Sequence, residues 1–295
     1  MSKYLLIPCL FPVALALSAC GPSAEGQSVA ARVNGHDISM SSYTKQVKYK
    51  RVVSTDTFGI DVCAGKGTAP LCDDLKQNAL NGLIQDELVR EYAAKHGITV
   101  SPAEFDRRWS VIYKQKFHNN KAVLAAYAKR YGLTPSEFKA SIRRDALRDK
   151  VMAAVTPNLS TVAPAIELSR IDVSDTKQVK WLKAQLRAGR DFNAVAAQLN
   201  RNKKSLCAQQ GGCGEMGWLP TAFVSPQRRG LISAKPGQVL GPFPGQRLYE
   251  FMKVEAKNPA YHMTPKQVYQ RRQQVFTTWL AQQERHAAIE RHVAT

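Results

Sequence analysis

The sequence predicts an α+β fold in which a helical part, a small mixed α/β part and a long final helix follow one another. Three observations predict it: apolar residues recur at helical spacing over 73–95, a strand-like stretch follows at 165–173, and a long amphipathic segment begins at Pro265. The 295 residues are enough for two domains with hydrophobic cores. With 44% hydrophobic and 22% charged residues, the composition excludes wholesale disorder.

The elements expected in the helical part begin with a hairpin. Residues 29–33 predict a strand, and Asn34-Gly35 is a strong signal for a two-residue hairpin turn. Two capping boxes, each with proline at the first helical position, begin at Ser101 and Thr134. The other elements expected here are a helix after Ser39–Ser42, an irregular loop over 54–72, and helices over 73–95 and 121–130.

The second half of the chain changes character after Pro157, because strand-like alternation and glycine-rich stretches replace the helical spacing. The features expected in order are a strand over 165–173, one or two helices over 177–199 broken at Gly189, a Gly- and Pro-rich region over 207–247, a closing strand over 247–254, and a final helix from Pro265 to about His292.

The first twenty residues have the pattern of an export signal. A lysine at position 3 precedes an apolar stretch over 4–17, which is shorter than the roughly 20 residues that span a bilayer. Residues 17–21 read LSACG and resemble the lipobox of bacterial lipoproteins. This resemblance implies removal of residues 1–19, lipidation of Cys20, a tether over 20–28 and, because glycine follows the cysteine, an outer-membrane destination. A plain secretory signal and an uncleaved anchor are the alternatives.

The chain is strongly basic, with 42 Lys and Arg against 23 Asp and Glu and a formal charge of +19. Such an excess implies an anionic neighbour, which could be a nucleic acid, a membrane surface or an acidic polymer. The export signal argues against nucleic acid and favours an anionic membrane surface. A solvated helix face is the alternative interpretation of the densest basic cluster, which comprises Arg107, Arg108, Lys114, Lys116, Lys139, Arg143, Arg144, Arg148 and Lys150.

Six cysteines occur, two of them in the signal region, Cys9 and Cys20. An oxidising compartment favours disulfides among the other four, for which three connectivities are open. Their spacing suggests two small local loops. Neither close pair has the spacing of a structural zinc site, and the six histidines show no ligand spacing, so no metal and no cofactor are expected. The favoured pairs are Cys63 with Cys72 and Cys207 with Cys213.

Motifs in the second half occur in a distinctive order: DFNAVA at 191–196, GG at 211–212, GEMGW at 214–218, PG at 236–237 and GP at 241–242. Together with the strand and turn ARVNG at 31–35, they resemble the extracytoplasmic parvulin-type peptidyl-prolyl isomerases and chaperones of the SurA and PrsA group. The resemblance implies a helical chaperone domain over 29–160, completed by a returning helix within 261–295. A parvulin-like α/β domain over 161–260 is then inserted between the two parts.

The same resemblance implies the site residues. Parvulins place two histidines on neighbouring central strands with a Cys or Asp nearby, and here those positions hold Arg170, Glu250 and Cys207. Arg170 and Glu250 are expected to form an ion pair across the strands, to act as a rewired active site, or to be unrelated structural side chains. A Cys207–Cys213 disulfide would stiffen the loop over the groove, and a redox-controlled site is the alternative. The substrate pocket is expected at Met216, Trp218, Phe223 and Gln227, the last subject to a shift by one gap.

Two classes of function stay open. The first is an enzyme, a lipid-anchored prolyl isomerase that acts on exported proteins. The second is a membrane-tethered chaperone whose parvulin-like domain has lost catalysis but retains a peptide groove, and a dedicated envelope or polysaccharide-export assembly factor is a third, weaker hypothesis. The expected clients are unfolded or proline-containing exported polypeptides, which we expect to bind around Leu83, Tyr92, Phe105 and Trp109.

Overall fold

A computed structural model describes residues 29–65, 67–209, 211–245 and 248–293. The signal segment, the tether and the lipidation candidate Cys20 therefore lie outside the described residues. The chain divides into two compact units, one comprising the described residues up to Leu147 together with those from Gln283 onward, the other spanning Arg148–Gln282. The combination of helices with small antiparallel sheets confirms the predicted α+β fold class. None of the helices in the described ranges is long and apolar enough to cross a membrane.

The first unit is mainly helical and contains a small sheet with the strand order β2-β1-β7. Both predicted capping boxes are present: the Ser101 and Thr134 hydroxyls accept the backbone N–H groups of Glu104 and Glu137, whose carboxylates bind back. Its elements are β1 (Val29–Val33), β2 (His36–Ser39), α1 (Met40–Phe58), α2 (Ala69–Lys95), α3 (Pro102–Phe117), α4 (Lys121–Arg130) and the start of α5 (Pro135–Val155), with β7 (Ile289–Arg291) added from the end of the chain.

The end of the chain corrects one prediction, because the expected helix to about His292 stops at His286 and a strand follows. In this strand, β7, Ile289 pairs with Val33 of β1 in antiparallel register. The Asn34 side chain accepts the N–H of Ala288 at 2.9 Å, which fixes the chain where it enters the sheet. Tertiary pairing with the edge of β1, which no local pattern encodes, therefore overrides the helical spacing of the last residues.

The aromatic residues of α3 form a core and correct the expected client site. Phe105 is buried, and Trp109 packs edge-on against Phe138 with 6.3 Å between ring centroids. Cations cover the outer faces of these rings, with Lys139 Nζ 4.8 Å from the Trp109 centroid and the Arg143 guanidinium 4.5 Å from that of Phe105. Phe105 is thus committed to packing within the unit, whereas Trp109 packs on the same core and stays half-buried. Leu83 and Tyr92 are half-buried, and Leu83 packs against the core beside β1.

The second unit is built on a four-stranded antiparallel sheet with the order β4-β3-β6-β5. One face of the central strands packs Ile171, Val173 and Phe251 against the helices that follow β3. The other face packs Leu168 and Met252 against residues 224–243. Its elements are β3 (Val162–Val173), α6 (Thr176–Arg187), α7 (Phe192–Arg201), α8 (Leu206–Gln209), β4 (Gly214–Pro220), α9 (Gly230–Ser233), β5 (Val239–Pro244), β6 (Tyr249–His262) and α10 (Pro265–His286).

Candidate active site

The candidate site lies where the two central strands of the α/β sheet run side by side. In the antiparallel register, Asp172 of β3 lies opposite Glu250 of β6, and Arg170 lies opposite Met252. Residues two apart on a strand share a face, and directly paired residues share it too. One face of the sheet therefore holds Arg170, Asp172, Glu250 and Met252. Through Met252 this face continues into the apolar surface that includes Leu168.

Four charged side chains meet on this face. Arg170 Nε lies 3.1 Å from Asp172 Oδ2, and the guanidinium of Arg228, from the segment after β4, binds the Glu250 carboxylate. The predicted ion pair between Arg170 and Glu250 is therefore wrong. The physical reason for the difference is that each side chain has a nearer partner of opposite charge. Arg170 contacts Asp172, two residues along the same strand, and Glu250 binds Arg228 from a loop. We call Arg170, Asp172, Arg228 and Glu250 the charged quartet.

The two carboxylates of the charged quartet are mostly buried. The Asp172 side chain is 2% exposed and that of Glu250 is 12% exposed, whereas the two arginines remain about one-third exposed, at 29% and 32%. Burial raises the pKa of Asp172 above its ordinary value, and the positive charges of Arg170 and Arg228 oppose that shift. Despite their 3.1 Å approach, Arg170 Nε makes no aligned hydrogen bond, and Asp172 Oδ1 has no hydrogen-bond partner among the described residues.

A glycine fixes the backbone beside Glu250. Gly241 of β5 has φ +132°, a conformation that favours glycine, and a Cβ added there would lie 2.6 Å from the Glu250 carbonyl oxygen. The neighbouring strand can therefore approach Glu250 this closely only without a side chain at position 241. This requirement explains the glycine of the GP motif at 241–242 in terms of the geometry of the site.

The structure confirms both predicted disulfides. Cys63 and Cys72 join with 4.7 Å between their Cα atoms, and Cys207 and Cys213 with 4.9 Å. The second disulfide contacts strand β3 at Asp172. Cys213 Sγ accepts the N–H of Asp172 at 3.2 Å, and buried Cys207 Sγ lies 3.5 Å from the Asp172 carbonyl oxygen. As a disulfide, Cys207 has no thiol proton and no thiolate, so it anchors β3 at Asp172 rather than supplying a reactive group.

Comparison with known proteins identifies the first half of the chain. The profile of a family described as "SurA-like N-terminal domain" matches residues 3–152, which is half of the sequence. The chain belongs to this SurA-like family.

Curated relatives extend the SurA-like match beyond that domain. Foldase protein PrsA of Caldanaerobacter subterraneus subsp. tengcongensis is 26% identical over 277 residues, covering 86% of this chain and 82% of the relative. Chaperone SurA of Salmonella typhimurium is 24% identical over 225 residues, covering 65% of this chain and 51% of the relative. Among solved structures, PrsA of Bacillus anthracis aligns with 20% identity and a TM-score of 0.42 over 68% of this chain and 89% of that one.

The four predicted pocket residues of this SurA-like chain do not all share the quartet's face. Trp218 pairs with Glu167, which places it on the opposite face of β3 from Arg170, and its ring stacks on Tyr261 with 5.6 Å between centroids. Met216 is 47% exposed on β4. Phe223 is half-buried and Gln227 is exposed, both on the segment that also supplies Arg228.

Sequence reasoning missed two members of the quartet, Asp172 and Arg228. Asp172 carried a usable signal, because a carboxylate inside a run that otherwise predicts a buried strand needs a positive partner nearby. Arg228 directly follows Gln227 in the expected pocket segment, but nothing local indicates that it turns toward β6. Only the fold brings Arg228 and Glu250 together, across 22 residues of sequence.

Proposed function

We propose that this chain is an extracytoplasmic folding factor of the peptidyl-prolyl isomerase family that binds unfolded exported polypeptides. The SurA-like domain and the similarity to a foldase and a chaperone over most of the chain support this proposal. The two disulfides suit an oxidising compartment outside the cytoplasm.

The contacts within the charged quartet are the observation on which the proposal about catalysis rests. A prolyl isomerase must bind the twisted amide better than the planar one. In this chain the two parvulin histidine positions hold Arg170 and Glu250, each engaged by another charge, and the third position is a disulfide. The groups that would favour the twisted amide are therefore replaced by Arg170, which is engaged by Asp172, by Glu250, which is engaged by Arg228, and by a disulfide. We infer that the protein acts by holding clients, with prolyl isomerisation lost.

A second candidate function, isomerisation by a rewired site, is favoured by one observation. The Arg170 side chain is 29% exposed, its Nε makes no aligned hydrogen bond among the described residues, and Arg170 lies beside apolar Met252 on the same face. A guanidinium donor over an apolar floor could bind the carbonyl of a prolyl peptide. An assay of refolding limited by prolyl isomerisation separates the two candidates.

Exposed apolar side chains give the holding function a testable location. Phe58 is 73% exposed, Ile60 57% and Leu71 51%, and all three lie at or beside the loop closed by Cys63–Cys72. Large apolar side chains exposed this close together in sequence favour a binding role for this segment. We expect the full chain to suppress aggregation of a chemically unfolded exported protein, and the variant with Phe58, Ile60 and Leu71 all changed to Ser to need several-fold more protein for the same suppression.

The matched control for this assay is Tyr269→Ser, which removes one large exposed side chain from α10, where Tyr269 is 47% exposed. Light scattering during dilution from denaturant measures the suppression. Full suppression by the triple variant would place the client site elsewhere, and no suppression by the unaltered chain would overturn the folding-factor proposal.

We also propose that the chain is lipidated at Cys20 and held at an anionic membrane, with the outer membrane favoured. Arg107 and Lys114, seven residues apart on α3, are exposed on one side of that helix. The unlipidated chain should bind vesicles containing anionic lipid, more weakly as salt shortens the Debye length to about 10 Å at 0.1 M. Cosedimentation measures this, and the double variant Arg107→Gln, Lys114→Gln should bind less. Equal binding to neutral vesicles would contradict the proposal.

A further inference from the structure

A histidine and two glutamates converge in the first unit, and none of them belongs to the charged quartet. His36 begins β2, and Glu87 and Glu91 lie one turn apart on α2, so that their side chains point the same way. His36 Nδ1 lies 3.1 Å from Glu91 Oε1 and 3.6 Å from Glu87 Oε1, and the three ligand atoms all lie within 4.8 Å of one another. We propose that His36, Glu87 and Glu91 bind a divalent transition-metal ion of the zinc class.

The distances fit a shared metal ion. Zinc lies about 2.0–2.2 Å from imidazole nitrogen and carboxylate oxygen, so two ligand atoms at the tetrahedral angle are separated by about 3.3 Å. The two separations from His36 Nδ1, 3.1 and 3.6 Å, lie on either side of that value. These two separations therefore fit ligand atoms that share one ion, and the two glutamate ligand atoms lie within 4.8 Å of each other.

The surroundings hold both carboxylates in place. The Asn34 side-chain amide donates to Glu91 Oε2 at 2.7 Å, and an outer hydrogen bond of this kind orients a ligand of a metal site. Arg90 donates to Glu87 Oε2 at 2.8 Å and also binds Oε1, so an ion at that oxygen would share it with the guanidinium. Asn34 is itself fixed, because its backbone N–H donates to the Ala288 carbonyl at 2.8 Å. The turn and the helix thus present the donors from two anchored elements.

The donor set selects the class of ion. One imidazole nitrogen with two carboxylate oxygens suits Zn²⁺, Co²⁺ or Ni²⁺, whereas Ca²⁺ and Mg²⁺ prefer oxygen ligands alone. The glutamate side chains are 15% and 22% exposed and that of His36 is 57% exposed, so a dissolved ion can reach the imidazole from solvent. The competing explanation is an ion pair between protonated His36 and the carboxylates, which needs no metal.

Calorimetric titration of the oxidised full chain with Zn²⁺ tests the site. We expect the His36→Ala variant to bind this zinc at least tenfold more weakly, with Glu91→Gln giving a similar loss. His262→Ala removes an exposed histidine of the other unit and should leave the affinity unchanged. Cys9 and Cys20 are the same in all variants, so any zinc they bind cancels in the comparison.

Three results would overturn the proposal. Equal zinc affinity in the His36→Ala and unaltered chains would show that the ion binds elsewhere. Ca²⁺ binding as tight as Zn²⁺, and equally reduced by Glu91→Gln, would indicate only an acidic patch. Absence of zinc binding at millimolar concentration would leave the His36–Glu91 ion pair as the explanation. Circular dichroism of each variant verifies that the fold is retained.

Discussion

Replacing Arg170 by Met should lower the free energy of unfolding of the α/β unit by about 3 kcal/mol, because it leaves the Asp172 carboxylate buried without its closest positive partner. The Asp172 side chain is only 2% exposed, so water cannot take the place of the guanidinium. Urea unfolding followed by tryptophan fluorescence measures the loss. The double variant Arg170→Met, Asp172→Asn should recover most of it, since the buried charge is then removed as well.

The loss should also depend on pH with a defined sign. Burial already raises the pKa of Asp172 in the folded state, so the folded protein retains a proton that the unfolded chain releases in the window between the two pKa values. Stability from this group is therefore present at low pH and is lost as pH rises through that window. Without Arg170 the pKa rises further, so the difference between variant and unaltered chain should be largest at neutral pH. An equal difference at pH 4 and pH 7.5 would contradict the charge-based account.

Replacing Gly241 by Ala should cost about 3 kcal/mol, because the new Cβ would lie 2.6 Å from the Glu250 carbonyl and the backbone has positive φ. Gly237→Ala is the matched control: its φ is also positive, at +84°, but its Cβ would meet nothing within 4 Å. The control should therefore cost only about 1 kcal/mol. Thermal unfolding of the two variants measures the difference. Equal losses of stability in the two variants would show that the close contact between position 241 and the Glu250 carbonyl does not contribute to the cost.

Local signals in the sequence predicted much of the fold. Capping boxes at Ser101 and Thr134 and the closely spaced cysteine pairs are encoded within a few residues, and the structure confirms them. Strand β7 was missed because its conformation depends on pairing with β1, more than 250 residues earlier in the chain. For Phe105 and Trp109 on α3, the sequence could not distinguish packing within the unit from a surface for clients.

The sequence predicted where the candidate site residues lie, but not which charged residues they contact. The family resemblance located Arg170 and Glu250 on the two central strands, and both lie there. Which charges they bind depends on Asp172, whose burial is a property of the whole sheet, and on Arg228, whose loop crosses the face between β4 and β5. Sequence spacing likewise could not show His36 beside Glu91, because 55 residues separate them.

The most direct test of the central claim is an assay of refolding limited by prolyl isomerisation, a step that takes tens to hundreds of seconds without a catalyst. The oxidised full chain is added at increasing concentration to a refolding protein with a slow prolyl phase, and the same series is repeated after reduction of the disulfides. We expect the slow rate to stay unchanged in both series, while aggregation of an unfolded exported client is suppressed. Acceleration proportional to the concentration of the chain, and abolished in the double variant Arg170→Met, Asp172→Asn, would contradict this expectation.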